Sequence, residues 1–232
     1  MSMSDLVDGQ DIIDEEDIGM TTVDLTASEV GAKIILTDKL VRQSAANVFS
    51  IIGRQLGDGM ARKKDSDVLD LYSGFSTDIG AAGRAMSLAN VSAAVAYAKG
   101  KKFGSNVYIV QHPFAVWDIA NTAVTASTTY PVPAGWTQDL LGNFFSGLRP
   151  INGVPIFEDG NITIDASDDA VGVIADKSAL AVLMSQDTST ERQRDASLRA
   201  TEVVITADYG VFELDDSKGV ALTLDAGTPA TS

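Results

Sequence analysis

The stretch from Gly31 to Tyr72 constrains the fold more than any other part of this chain. A short apolar run, Ala-Lys-Ile-Ile-Leu over residues 32–36, reads as a strand and passes through Thr37 and Asp38 into about thirty residues of helical pattern. Val48, Ile52, Leu56 and Met60, then Val68 and Tyr72, recur every four residues, with Lys64 the only break. On a helix of 3.6 residues per turn such a stripe drifts by about 40° at each step. The two ends of the helix are therefore expected to pack on different partners. Gly53, Gly57 and Ala61 form a second ladder of small side chains. Each glycine costs up to about 1 kcal/mol relative to alanine in a helix interior, so the ladder predicts close backbone approach. The alternative is that Gly57-Asp58-Gly59 ends one helix and starts another.

The chain has 232 residues and 24.3 kDa, of which 45% are hydrophobic, enough to bury a real core in one domain or two intimately joined ones. No apolar run approaches the roughly 18 residues of a membrane span, so no membrane partner is expected. The N-terminus lacks the basic start and apolar centre of a secretory signal. Cysteine is absent, which excludes disulfides and thiolate metal sites and fits an intracellular folding environment. A formal charge of −15 argues against a protein whose main job is to grip phosphate backbones, and sequence-specific nucleic-acid binding is not expected.

That charge is unevenly spread. Residues 1–30 hold nine acids (Asp5, Asp8, Asp11, Asp14, Glu15, Glu16, Asp17, Asp24 and Glu29) and no lysine or arginine. Such a block marks a solvated or interface-forming extension. Basic residues gather at Arg62-Lys63-Lys64, at residues 99–102, and at Arg192, Arg194 and Arg199. An acidic arm and basic patches suit self-association, although ordinary solvated faces explain the same pattern. Asp11, Asp14, Glu15, Arg62, Lys63, Lys64, Arg192 and Arg194 are accordingly candidates for contacts between subunits.

Along the chain, residues 21–25 and 32–36 read as strands of a projecting hairpin joined through residues 26–31. After the long helix a Gly/Ser/Thr-rich connection runs from 76 to 87, and Ser87 caps a helix over 88–101 that ends in a basic turn and Gly104. A buried strand follows at 106–111, and His112-Pro113 opens another helix carrying Phe114, Trp117 and Ile119. Residues 122–138 read as a surface loop and 139–145 as a short helix. Residues 153–157 form a strand with Pro155 on an edge. A strand at 171–175, a short helix at 177–183, and strands at 184–190, 200–207, 211–214 and 220–224 complete the pattern. Long helices first, mixed elements next and strands last predict an α+β architecture.

Chemistry is poorly represented. The one histidine, His112, stands at a strand-to-helix junction, where its ring caps the helix or packs against Trp117, and no nucleophile elbow accompanies it. Residues 165–169 lack the spacing and closing glutamate of a calcium loop and read as a solvated turn. Asp67 and Asp70 share a helix face, with Lys63 and Lys64 one turn back, so a salt-bridged surface accounts for them. No phosphate-cradling glycine loop is present. No cofactor, metal or catalytic residue is expected, and a structural role follows.

Four stretches in a fixed order, residues 30–44 leading into the long helix, 107–118, 153–157 and 197–211, resemble the major capsid proteins of tailed bacteriophages, the family with the HK97 fold. The resemblance implies an extended loop over residues 1–36, and a peripheral domain from 37–75 and 184–232 with a spine helix and a sheet closed by the last strands. It implies an axial domain over 76–183. It also implies pentamers and hexamers that close an icosahedral shell around packaged DNA, with portal, scaffold or decoration proteins as partners and assembly in the host cytoplasm. Relatives carry an N-terminal arm and a first loop strand before a stretch like residues 5–11, which here begins almost at Met1. Some relatives cross-link a loop lysine to a neighbour; Lys33 lies in that region, without a matching acid and asparagine. A nanocompartment shell around a cargo enzyme, as in encapsulins, is the alternative on the same fold, and an acidic hydrolase is the third reading.

Overall fold

The computed structural model describes residues 25–44, 47–124 and 153–229. Its first unit is a three-stranded antiparallel sheet in the order β1-β6-β5, formed by β1 (Ser28–Thr37), β5 (Leu180–Asp195) and β6 (Ala200–Glu213). Thr37 ends β1 and caps α1 (Asp38–Gln43) by accepting from the Leu40 N–H. Asn47 caps α2 (Val48–Asp70), which crosses the sheet and tightens into a 3₁₀ turn at Leu71–Gly74. Helix α2 is unbroken, so Gly57-Asp58-Gly59 separates nothing. β5 is an edge strand and slips register twice, between Met184 and Gln186 and again before Ser189.

The second unit is a four-stranded sheet in the order β3-β2-β4-β7. It comprises β2 (Val107–Gln111), β3 (Ile156–Glu158), β4 (Asp169–Asp176) and β7 (Gly219–Asp225), with β3 parallel to β2 and the other pairs antiparallel. Helices α3 (Leu88–Gly100) and α4 (Pro113–Val124) supply Val91, Val95, Val116 and Ile119 to its core, against Ile109, Ile174 and Leu224. Ser87 caps α3 as expected, but the left-handed residue that ends it is Lys102 (φ 59°). Gly104 instead allows a close approach, since a Cβ there would sit 2.6 Å from Asp176 Oδ1.

The apolar stripe of α2 divides as its drift requires. Leu56 and Met60 belong to a smaller core with Leu36, Val203 and Ile205, whereas Leu69 and Tyr72 enter the core of the four-stranded unit. The glycine ladder does not behave as expected. Among the described residues a Cβ at Gly53, Gly57 or Gly59 would meet nothing within 4 Å, because these residues lie on the exposed face of α2.

Several strand and helix limits differ from those expected of the sequence. Residues 28–31, expected as a hairpin connection, are already strand, and β1 pairs with β6 from Ser28 opposite Tyr209 to Thr37 opposite Ala200. The helix expected at 177–183 does not form. Asp176 accepts from the backbone N–H and the hydroxyl of Ser178, making a local turn that competes with helix, and β5 starts at Leu180. Strands expected at 200–207 and 211–214 are one, since Gly210 lies in register with its Cβ position filled by the Phe212 ring. The strand at 220–224 joins β4 in the four-stranded sheet and not the three-stranded one, because its consecutive buried residues need cover on both faces. Helix α4 runs on to Val124, past the expected start of the loop at 122. The strand at 21–25, apart from Leu25, the helix at 139–145 and loop residues 125–138 lie outside the described residues.

Ile174 sits fully buried in the central strand β4. Replacing it by alanine is expected to cost about 2–5 kcal/mol in urea unfolding, whereas Ile51→Ala on the exposed face of α2 should change stability by less than about 0.5 kcal/mol.

Candidate assembly surfaces

The charged residues singled out from the sequence fall into two groups. Asp11, Asp14 and Glu15 lie outside the described residues. The basic candidates are on the three-stranded unit, and most already have partners within the chain. Lys33 on β1 pairs with Glu202 on β6 at 3.3 Å. Lys63 binds Asp67 one turn on at 2.5 Å. Lys64 donates to the Thr188 hydroxyl at 3.0 Å, lies 3.9 Å from Asp187, and stands over the Tyr209 ring.

Arg194, near the end of β5, makes a two-pronged ion pair with Asp38 at 2.5 and 2.8 Å and thereby fastens α1 to the sheet. That pair holds the Asp38 carboxyl below its ordinary range. Arg192 lies over the Phe49 ring, 5.5 Å from its centroid. Arg62 and Arg192 are the basic candidates that make no ion pair with a described residue, and of these two exposed residues Arg62 has no ring contact either.

The interior tie behind this surface was not expected from the sequence. Tyr209, buried on β6, donates its hydroxyl to Asp67 on α2 at 2.6 Å, so Lys63, Asp67 and Tyr209 form one chain of contacts from helix to sheet. Burial works to raise the Asp67 carboxyl, but the hydrogen bonds from Lys63 and Tyr209 together hold it below the usual value. A spacing of 142 residues leaves no sequence signal for that contact.

Apolar groups also face outward. Val182 and Met184 on the edge strand β5 are 57% and 53% exposed, and they border an apolar groove of about 340 Å³ against Ala61 and Val68 of α2. Exposed apolar side chains grouped beside a groove are the usual form of a protein-protein contact.

The remaining polar features are structural. His112 Nδ1 accepts from the Phe114 N–H at 3.1 Å, capping α4, and its ring meets that of Phe114 edge-on. Asp165 accepts from the N–H groups of Ser167 and Asp169, closing the turn before β4. Among the described residues no group of three or more His, Asp or Glu side chains is placed to hold a metal ion.

Tyr209→Phe is expected to cost about 1–2 kcal/mol, at the low end for a hydrogen bond to a charged group because Asp67 keeps some solvent access. A carboxylate held low stabilises the fold above the ordinary Asp value of about 3.9 and loses that contribution as pH falls through its own lowered value. Urea titrations in acid should therefore show a shallower loss of stability for Tyr209→Phe than for the parent.

A family model described as phage capsid protein matches residues 21–223. A structure from Mycobacterium phage Che8 superposes with a TM-score of 0.69 at 17% identity, over 84% of this chain and 70% of that one. The mature capsid of bacteriophage PhiM1 matches with a TM-score of 0.67 at 16% identity, over 99% of this chain and 80% of that one. The SrpI encapsulin of Synechococcus elongatus matches with a TM-score of 0.64 at 10% identity, over 89% of this chain and 77% of that one. No curated protein matches by sequence. With the family model covering most of its length and the α+β architecture shared with these shells, the chain belongs to the phage capsid protein family and has the HK97-like fold of a major capsid protein.

Proposed function

We propose that this chain associates into pentamers and hexamers that close an icosahedral shell around a genome, working by geometry and adhesion without turnover. The match of the capsid family model across residues 21–223 carries this reading. The four-stranded unit with α3 and α4 fits the axial domain around capsomer centres. Helix α2 with the three-stranded sheet, β1 included, fits the peripheral domain, so the extended loop laid on a neighbour would end before β1 and not at residue 36. Packaged DNA is confined by such a wall and not gripped by it, in keeping with a charge of −15. Portal, scaffold or decoration proteins would complete the particle, assembled in the host cytoplasm.

Of the candidate contact residues, Arg62 is exposed and makes no ion pair with a described residue, and we assign it, with the leader acids Asp11, Asp14 and Glu15, to electrostatics between subunits. Lys33, Lys63, Lys64, Arg192 and Arg194 serve first to hold their own subunit together. The encapsulin likeness supports a second reading, a nanocompartment shell, in which purified particles contain cargo protein and not nucleic acid.

Negative-stain electron microscopy with light scattering tests the shell reading. Rings of five or six subunits or closed particles are expected, and a chain that stays monomeric at every concentration would refute it. Arg62→Glu should raise the concentration needed for assembly about tenfold while leaving the melting temperature of the subunit unchanged. Assembly at the parental concentration would remove Arg62 from the interface.

A further inference from the structure

Val182 and Met184 are each more than half exposed, yet they form one wall of an apolar groove whose other wall is Ala61 and Val68 of α2. Apolar side chains grouped in this way call for a cover. A second recess, of about 380 Å³, lies on the opposite flank of the same helix. Lys63, Asp67 and Asp70 line it from α2, and Thr26 and Ser28 line it from the chain that leads into β1. Tyr209 and Val211 of β6 border both hollows.

Helix α2 is therefore a ridge between the two. At about 100° per residue, Lys63 and Asp67 face one flank, Ala61, Lys64 and Val68 face the other, and Arg62 stands on the crest. Arg62 is exposed, with neither an ion pair nor a ring contact among the described residues. The chain reaches the sheet on the flank away from the apolar groove. There Thr26 lies so close to β6 that a Cβ on Gly210 would sit 2.8 Å from its carbonyl oxygen.

The sequence ahead of Thr26 matches this relief. Residues 1–24 hold no lysine or arginine, and the apolar pair Ile12-Ile13 is followed directly by Asp14, Glu15, Glu16 and Asp17. Ile13 lies 13 positions before Thr26, an extended reach of roughly 40 Å, whereas half the girth of a helix is roughly 17 Å. A chain running back from Thr26 over the crest brings its four acids to Arg62 just before the isoleucines descend beside Val182 and Met184. We propose that in the single subunit residues 12–24 fold back across α2 as a strap, with the acids on Arg62 and Ile12-Ile13 in the apolar groove. The strap covers the subunit's own apolar edge until a neighbour replaces it, which frees the same acids for contacts between subunits. Only that release rests on the shell reading; the strap itself belongs to the single subunit and is tested there.

The chain has no cysteine, so an engineered pair reports the contact without background. Met184→Cys combined with Ile12→Cys or with Ile13→Cys, refolded from urea and oxidised at high dilution, is expected to form a disulfide within one chain, read by non-reducing electrophoresis and mass. The control joins the same leader cysteines to Ile35→Cys, on the sheet face turned away from α2, and should stay reduced. A bond between two chains would make a second copy the occupant, and equal oxidation of test and control, or oxidation of neither, would show no strap; each result overturns the proposal. The second readout is cleavage at Glu15 and Glu16 by a glutamate-specific protease. Val182→Asp with Met184→Asp, and separately Arg62→Glu, should each speed it about tenfold at an unchanged melting temperature, because all three side chains are exposed. Parental cleavage rates in either folded variant would likewise overturn the strap.

Discussion

The winding of one apolar stripe around α2 is the constraint on which the subunit depends. A 23-residue helix is a rod of about 35 Å, and its buried positions turn steadily about the axis. Leu56 and Met60 face the three-stranded sheet, and Leu69 and Tyr72 face the four-stranded one. Because one rigid element serves both cores, neither can be built without fixing the direction of the other. The helix has few buried side chains for its length, so its stability comes from what it touches at its two ends and from ties such as Asp67 to Tyr209.

Much of this could be read from residues alone, for definite reasons. The every-fourth stripe, Ser87 as a cap, Pro113 at a helix start and the apolar run of β2 are local signals, and each forms the element expected of it. The failures have local causes of another kind. At 177–183 the Asp176 side chain satisfies Ser178 and diverts the backbone. The break expected between strands at 200–207 and 211–214 does not form, and a neighbouring aromatic ring fills the missing side chain of Gly210. The helix glycines signalled close packing, but among the described residues no atom lies within 4 Å of a Cβ placed at Gly53, Gly57 or Gly59.

Contact residues were legible only as a composition of charges, since pairing across the fold is invisible in a linear sequence. Arg194 and Asp38 lie 156 positions apart, and their geometry makes them a brace within the subunit. Nor could the meeting of Asp65, Asp159 and Asn161 be foreseen, because it depends on where a turn from one unit lands on a helix from the other. Charge clusters in a protein built for association thus have two uses, and only the folded geometry tells a brace from a contact.

The two register slips in β5 bear on how such a chain avoids the wrong kind of association. A long, flat outer strand offers a row of free amides and carbonyls to any copy that drifts alongside, and stacking by that route has no end point. Each slip breaks the even spacing of those groups and bends the strand, so a second chain cannot match it over its full length. Growth is thereby denied to open-ended ribbons and left to contacts whose angles can close.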